Sequence, residues 1–483
     1  MSRINTNVSS LQAMRNLIRN QNDLNLRLER LSSGLRINRG ADDPAGLIAS
    51  ESLRSEIRGL TAAINNSERA INVISTADGA LAEVSKMLLE IKGLIDTSSN
   101  SGALSDDEIA ANQLQVDSLL ESINRVANST QFNGKKLLNG GLGYTVNGQD
   151  TTNLARLQLF GARVPAGSTQ SVTVQVTQSA QTAALTIGLG GNNGLSSSGH
   201  LSQSNNITIE VRGSLGTEIY TFTGSSTIAS MATTITNSKT LTGVSATTSA
   251  TGMSFNSTQF GSKHFVSVRA TSGTFTVVPG DQGDNEDKGR DAGVMFNGQS
   301  ANVDGLIAKI RVNGLDIVAD LTQTFGTTVG SDTFSITGGG ANFQIGPEVN
   351  SDGLVSIGIP SITTSNLGNS VYGFLNSLGS GGATEIVDTD NHPAAEQIIG
   401  SAISQVATLS GRLGGFQANQ VETNLNSLRT ALENVTASES TIRDTDYAVE
   451  VSNLTRAQIM QQSTIMMLGI ANQMPQSVLA LLQ

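Results

Sequence analysis

The side chains that ordinarily carry chemistry are scarce in this chain. Its 483 residues include no cysteine, no tryptophan and only three histidines, His200, His264 and His392. Without cysteine there is no disulfide framework, thiolate metal site, iron–sulfur cluster or cysteine nucleophile. The histidines belong to no His-Glu-x-x-His pair and have no close partner carboxylate in the sequence, so each is expected at the surface or in a loop. Gly188-Leu189-Gly190-Gly191-Asn192-Asn193-Gly194 approaches a dinucleotide fingerprint, but Asn193 stands where the third glycine belongs and no βαβ pattern surrounds it. It reads as a glycine-rich turn. The acidic group Asp281, Asp284, Glu286, Asp287 and Asp291 approaches a calcium loop. A loop opening at Asp284 would put Lys288 on a ligand position, which a cation forbids, so a solvated loop is expected. Asn7-Val8-Ser9, Asn128-Ser129-Thr130 and Asn206-Ile207-Thr208 are glycosylation-like triplets of little specificity. No catalytic, cofactor-binding or metal residue is assigned, and a non-enzymatic role is expected.

The remaining composition narrows the classes further. A net charge of −11 and a pI near 4.8 argue against nucleic-acid binding, which needs clustered Lys and Arg. No apolar run reaches the ~18 residues of a membrane span. The start, Met1 to Asn7, shows no basic region followed by an apolar one, so a cleaved signal is not expected and the plain reading would be cytoplasmic. Charged residues make up 14% and apolar residues 37%, with 51 glycines. This is a polar, weakly charged chain long enough for about two to four domains.

With chemistry set aside, periodicity becomes the main signal. Proline is absent between Pro44 and Pro165 and between Pro393 and Pro475, so long helices are permitted at both ends. Ile4, Val8, Leu11, Met14, Ile18, Leu24, Leu28, Leu31 and Leu35 recur in helical steps along a helix ~50 Å long, ending near Ser32-Ser33-Gly34. Asp42 or Asp43 can cap the next helix, with Pro44 at its first position. There Leu53, Ile57, Leu60, Ile64, Ser67, Ile71, Ile74, Asp78, Leu81, Ser85 and Leu88 alternate in fours and threes, the 3.5 period of a coiled-coil seam. The seam shifts by one at Ile91 and Ile95. A third helix opens with the capping box Ser105 to Glu108, and its seam is Ile109, Asn112, Val116, Leu119, Ile123 and Val126.

The C-terminal third mirrors the first. Ile399, Ala402, Val406, Leu409, Leu413 and Phe416 form one track; after a one-residue slip, Val421, Leu425, Leu428, Leu432 and Val435 form another. Tyr447, Val451, Leu454, Gln461, Ile465, Leu468, Ala471, Met474, Val478 and Leu481 continue a stripe to the end, while Asn16, Asn20, Gln21, Asn22, Gln461, Gln462, Gln473 and Gln476 are expected on the opposite, polar face. Two such helical ends suit burial among copies of themselves better than existence as a lone hairpin. Between them the period changes to two: residues 171–177, 207–211 and 274–277 alternate as strands, in a stretch whose residues 164–209 contain no charge. The expected fold class is α+β, with long antiparallel coiled-coil helices from both chain ends and an inserted β-rich outer domain.

The residues at both ends closely resemble bacterial flagellin. The resemblance rests on Ile4-Asn5-Thr6-Asn7, on Leu31 to Asn38 and Ala41 to Leu47, on Gln131 to Leu138, on Ile442 to Ala448, and on the ending Ala471 to Leu479. It covers about 140 residues at the start and 90 at the end. It implies a structural subunit of the extracellular flagellar filament, secreted without a cleaved signal through the flagellar type III apparatus, which reverses the cytoplasmic reading. It implies inner-tube terminal helices at 1–41 and 445–483, an outer-tube helical domain with β-hairpins at 42–178 and 330–444, and a variable surface-projecting domain at 179–329; two outer domains are the alternative. Residues 207–270 resemble a β-rich insertion module, and residues 341–346 a returning hairpin.

By this resemblance inner-tube assembly falls to Ile4, Val8, Leu11, Met14, Ile18, Leu28, Leu31, Val451, Leu454, Ile465, Leu468, Met474, Val478 and Leu481. The outer-tube seam falls to Leu53, Ile57, Leu60, Ile64, Ile71, Ile74, Leu81, Leu88, Val116, Ile123, Leu409, Leu413, Leu425, Leu428 and Leu432. Arg36, Asn38, Asp42, Asp43, Arg443 and Asp444 form a polar intersubunit motif. Pro44 replaces a frequent alanine, and Thr441 a usual arginine. Glu90 and Gln115 stand where receptor-activating relatives carry a basic and an acidic residue, while Leu94 is retained, so weak host Toll-like receptor recognition is expected. The implied partners are further copies of the chain, an export chaperone, the filament cap and hook-associated proteins. A hook–filament junction protein is the alternative, though such proteins usually lack the Asn472 to Gln476 ending. An enzyme displayed on a filament would need a nucleophile–base set or metal motif within 179–329.

Overall fold

The computed structural model describes residues 6–480 apart from 101, 163, 165–167, 190–194, 197–198, 202–205, 251, 279–284 and 313. Of the glycine-rich turn expected at 188–194, residues 190–194 therefore lie outside the described residues, while Gly188 ends the strand Ala184–Gly188; Asp281, Asp284, Ile4 and Leu481 also lie outside the described residues. The chain is α+β. Helices α1 (Val8–Ser33), α2 (Pro44–Ser98) and α3 (Asp106–Ser129) precede a β-rich middle with the short helices α4 (Ile228–Asn237), α5 (Lys239–Thr242) and α6 (Gln323–Gly326). Helices α7 (His392–Phe416), α8 (Thr423–Arg443) and α9 (Tyr447–Ala480) follow it.

The chain divides into two compact units. The first comprises Met1–Ser67, Ile345–Gly353 and Thr423–Gln483. Here α1 runs antiparallel to α9, because Asn7 bonds Ala471 while Arg27 bonds Glu450. Asn7 caps α1 by accepting from Ser10 N–H, and Gly34 ends it in the left-handed conformation at φ 74°, donating to Arg30 O. Glycine takes that conformation without Cβ strain. Asp43 caps α2 by accepting from Gly46 N–H at 2.9 Å. Leu60, Ala63 and Leu428 form this unit's buried cluster, flanked by Ile64, Ala431, Leu432 and Val435. Leu425 is buried too, while Leu53 and Ile57 are half-buried.

The second unit, Glu68–Gln344 and Leu354–Glu422, holds three cores. The helical core gathers Ile74, Leu81, Leu88, Val116, Ile123, Leu409 and Leu413, with Ile71 packed against its edge. Ile91 and Ile95 are buried, as the shifted seam requires. On α3 the fully buried track is Ile109, Gln113, Val116, Leu120, Ile123 and Ala127; Asn112, Leu119 and Val126 lie at its margins. A face packed from two sides is broader than a coiled-coil seam, so residues beside the seam bury as well. The slip between Phe416 and Val421 is one surplus residue, and a π-helix over Gln417–Glu422 absorbs it. Both Phe416 and Val421 consequently reach the same core.

Residues 183–277 fill a second core, formed from the four-stranded sheet in the order Glu286–Lys288, Phe265–Ser272, Ile207–Gly213 and Thr217–Phe222, the three-stranded sheet in the order Ala184–Gly188, Gly252–Ser257 and Val244–Ser249, and α4. The third core joins buried residues from 154–180 to those from 292–325 and 334–336. Its strands Gln170–Gln178 and Gly330–Gly339 pair directly. Residues 179–329 thus contribute to two β cores, and the second of these also takes strands from outside that range. Thr274 to Val277, expected as a strand, joins no ladder; Phe275 and Val277 bury their rings and methyls, and only Val278 forms an isolated bridge, to Thr186. Alternation there reflects burial of every second side chain without a partner strand. The hairpin expected near 341–346 is Ala341–Gln344 paired with Leu354–Ile357.

Ile91, fully buried in the helical core, measures that core's worth. Replacing it with alanine should cost the second unit about 2–5 kcal/mol, read as a lowered thermal midpoint by circular dichroism.

Candidate assembly surface

The pairing of α1 with α9 uses a narrow and polar face. Along α9 the less exposed positions include Glu450, Leu454, Ala457, Gln461, Thr464, Leu468 and Ala471, spaced in fours and threes, with Asn453 and Ser463 beside them. Along α1 they include Asn7, Ser10, Ala13, Leu17, Asn20, Leu24, Arg27 and Leu31. Specific bonds cross this seam: Asn7 Nδ2 donates to Ala471 O at 2.7 Å, Ser10 Oγ to Asn472 Oδ1 at 2.7 Å, and Asn20 Nδ2 to Thr464 Oγ1 at 2.7 Å. Arg27 Nη1 meets Glu450 Oε1 at 3.2 Å. Asn20 and Gln461, expected on the outer polar face, are seam residues instead; Asn16, Gln21, Asn22, Gln462 and Gln473 do face outward.

The large apolar side chains mostly lie off this seam. Val8, Leu11, Met14 and Ile18 are each 54–55% exposed, and Leu28 is exposed as well. On α9, Val451, Ile465 and Met474 are exposed, and so are Val449, Ile459, Met460, Met466, Met467 and Ile470. Leu31, Leu454 and Leu468 are half-buried. Leu24 and Leu31 share the α1 stripe of the sequence but turn into the seam, so that stripe divides between two faces. Val478 lies within α9. Burying a large apolar side chain is worth roughly 1.5–3 kcal/mol. The pair leaves more such side chains in water than it covers, and an exposed apolar surface of this extent marks an interaction site.

The polar motif residues find partners within their own unit. Arg36 N–H donates to Arg443 O at 2.7 Å, Arg36 Nη2 to Ile442 O at 2.6 Å, and Thr445 N–H to Gly34 O at 3.0 Å. Leu35 and Asp444 form an antiparallel bridge there. Asn38 Nδ2 donates to Ser33 Oγ, Arg443 Nη1 pairs with Glu51 at 2.8 Å, and Asp444 accepts from Ser440 Oγ. Asp42 accepts from the backbone N–H groups of Arg39 and Asn38, and these bonds, the one from Arg39 foremost, hold its carboxyl below the ordinary range. Hydrogen bonds from Arg443 and then Arg54 lower Glu51 likewise. These residues stitch the connection between α1 and α2 to the junction of α8 and α9.

Glu90 and Gln115 are exposed, and Leu94 packs half-buried against the helical core. One histidine differs from expectation, while His264 lies in a loop as expected. His392 is buried at the start of α7, with Nε2 2.8 Å from Ile386 O. His264 is half-buried, its Nδ1 3.0 Å from Ser214 Oγ, and burial lowers its pKa, favouring the neutral ring near pH 7. His264 lines a cavity of about 570 Å³ together with Phe160, Lys263, Tyr372 and Arg412. The partner of His264 is fifty residues away in sequence and that of His392 six residues before it, and neither spacing is a recognised signal. Where a solvated loop was expected, Asp287 is buried in the strand Glu286–Lys288 and accepts from Ala184 N–H of a neighbouring strand, while Asp291 accepts from Ser262 and Gly305 N–H and braces loops. Among the described residues no group of acids and histidines is placed to hold a metal, and no helix is long and apolar enough to cross a membrane.

Fold and surface together define an α+β protein whose two ends pair as helices and present exposed apolar faces. The family profile of the bacterial flagellin N-terminal helical region matches residues 4–141, and that of the C-terminal helical region residues 397–482. Flagellin of Salmonella typhimurium strain LT2 is 30% identical over 530 residues, covering 99% of each chain. Flagellins of Escherichia coli K12 and Clostridium tyrobutyricum are 29% and 28% identical, covering 99% and 98% of this chain and 99% and 100% of theirs. The chain belongs to the flagellin family, the subunits of the bacterial flagellar filament.

The carboxylates of the α1–α2 connection give a pH dependence of known sign. Their folded pKa values are depressed, so their stabilisation is complete above the unfolded values near ~4 and is lost as pH falls through the folded ones. Replacing Asp42 with asparagine should weaken the acid-induced fall in the first unit's thermal midpoint, measured from about pH 5 to pH 2.

Proposed function

We propose that the chain polymerises into the swimming filament by burying the outward faces of α1 and α9 between copies. The supporting observation is the apolar surface those helices leave uncovered after pairing with each other. Val8, Leu11, Met14, Ile18 and Leu28 on α1, and Val451, Ile465 and Met474 on α9, supply cohesion; Leu31, Leu454 and Leu468 contribute from the seam margin. Val478 and the residues at both extremes, Ile4 and Leu481, extend the same inner tube.

In this reading the terminal helices at 1–41 and 445–483 form the inner tube, and residues 42–178 and 330–444 the outer tube. Residues 179–329 face the medium. The subunit leaves the cell unfolded through the flagellar type III apparatus, escorted by an export chaperone, and folds beneath the filament cap beyond the hook-associated proteins. A cysteine-free chain suits that route, since refolding outside the cell needs no redox step. Glu90 and Gln115 make the region around Leu94 a weak ligand for host Toll-like receptors.

Introducing aspartate at Leu11 and Ile18 should leave a folded, soluble subunit that no longer elongates seeds in a light-scattering assay, because a buried unpaired carboxylate costs several kcal/mol. Deleting residues 449–483 should likewise leave a soluble monomer. Filaments from either variant would contradict the reading. In a receptor-reporter assay the chain should activate well below the level of the Escherichia coli K12 flagellin, and equal activation would overturn the assignment at Glu90 and Gln115.

A further inference from the structure

The α1–α9 seam raises a problem that apolar packing does not solve. Its side chains are small or polar at most positions, and on α9 they repeat with a seven-residue period: Glu450 and Ala457, Leu454 and Gln461, Ala457 and Thr464, Gln461 and Leu468, Thr464 and Ala471. Sliding one helix past the other by seven residues would keep small and polar groups opposed, so the packing itself discriminates weakly between registers. The register nevertheless decides which apolar side chains of α1 stand beside which of α9 on the outward surface.

We propose that the Arg27–Glu450 ion pair is the register-determining contact of the terminal helices, and so the residue pair that composes the assembly surface. The inference rests on the reading of that surface as the polymerisation interface. Glu450 is 5% exposed, deeply buried for a carboxylate on an otherwise open helix pair. Its side chain accepts from Arg27 Nη1 through both oxygens, at 3.2 and 3.4 Å. Asp23, one turn earlier on α1, binds the same guanidinium at 3.1 Å and fixes its direction. Glu450 also sits in the first turn of α9, where the helix dipole favours a carboxylate, and Asp446 caps that turn by accepting from Ala448 and Val449 N–H.

A seven-residue slip would set Glu450 at the level of Asn20 or of Gly34, where α1 ends, and leave a buried charge without its guanidinium partner. Breaking a buried pair in this way is strongly unfavourable, whereas replacing both members with apolar groups is often neutral. The pair therefore discriminates between registers more than it binds, the role that one buried polar residue plays in coiled coils. Asn20–Thr464 and Asn7–Ala471 mark the same register with neutral bonds that water or a neighbouring hydroxyl can replace.

The absence of native cysteine makes register directly readable in the full-length chain. Asn20→Cys is combined with Thr464→Cys for the native register, or with Ala457→Cys or Ala471→Cys for slips of one heptad, and filaments grown on seeds are oxidised. With Arg27 and Glu450 intact, the native disulfide should exceed each slipped one by about tenfold or more. In the Arg27→Met, Glu450→Met double variant, helix content by circular dichroism should persist while that excess falls to about threefold or less, and elongation should slow. An unchanged excess would overturn the proposal, and so would loss of all three disulfides together with helix content, which marks a pair that only holds the helices together. If the double variant adds no polymer, the exchange Arg27→Glu, Glu450→Arg decides: restored elongation supports the proposal and no restoration overturns it. Wild-type chain that shows the tenfold excess in solution but never elongates seeds would instead overturn the assembly reading and leave the register claim standing.

Discussion

Burial of apolar surface that a single chain cannot complete is the constraint on which the rest depends. The helix α1 meets α9 along a seam of Asn, Ser, Ala and Thr, with Leu17, Leu24, Leu31, Leu454 and Leu468 as its main apolar content. The larger share of valine, leucine, isoleucine and methionine on both helices stays in water. Isolated helices gain little from their own hydrogen bonds and are held mainly by what they pack against. On the proposed reading that partner comes from other copies, and the long helices, their caps and the stitched connection between α1 and α2 serve to present the faces correctly.

The second unit meets the opposite condition. Its helical core is complete within the chain, with Ile74, Leu81, Leu88, Ile91, Val116 and Ile123 closed off from solvent, and its two β cores are each filled by residues of the same unit. The same chain therefore combines a self-sufficient body with ends that are stable mainly in company. The polar residues at 34–43 and 442–446 join the helices of the first unit. Their hydrogen bonds depend on register and geometry and contribute modest energy apiece, which suits a connection that must hold direction.

Much of this architecture was legible in the residues. The heptad tracks named Leu60, Ile74, Leu81, Leu88, Val116, Ile123, Leu409, Leu413, Leu425 and Leu428, all of them buried, because a seam between long helices is a periodic signal with few competing explanations. The slip between Phe416 and Val421 was visible as a broken count, and the π-helix is its physical form. The stripe on α1 was harder to read. Apolar periodicity shows that a face is buried somewhere, and it does not distinguish a neighbour in the chain from another copy. The seam actually used within the chain is polar, so periodicity of apolar residues could not mark it. His392 and the segment 274–277 illustrate the other limit: one is buried with its ring nitrogen satisfied by the carbonyl of Ile386, the other is extended through core packing without a paired strand. Such partners are set by tertiary arrangement.

Amide hydrogen exchange, compared between the soluble subunit and the seeded polymer, tests the central claim most directly. The account expects large slowing of exchange across residues 8–33 and 447–474 on polymerisation, with residues 183–277 unchanged. Slowing concentrated in 183–277, with the terminal helices exchanging as fast in the polymer as in solution, would contradict it.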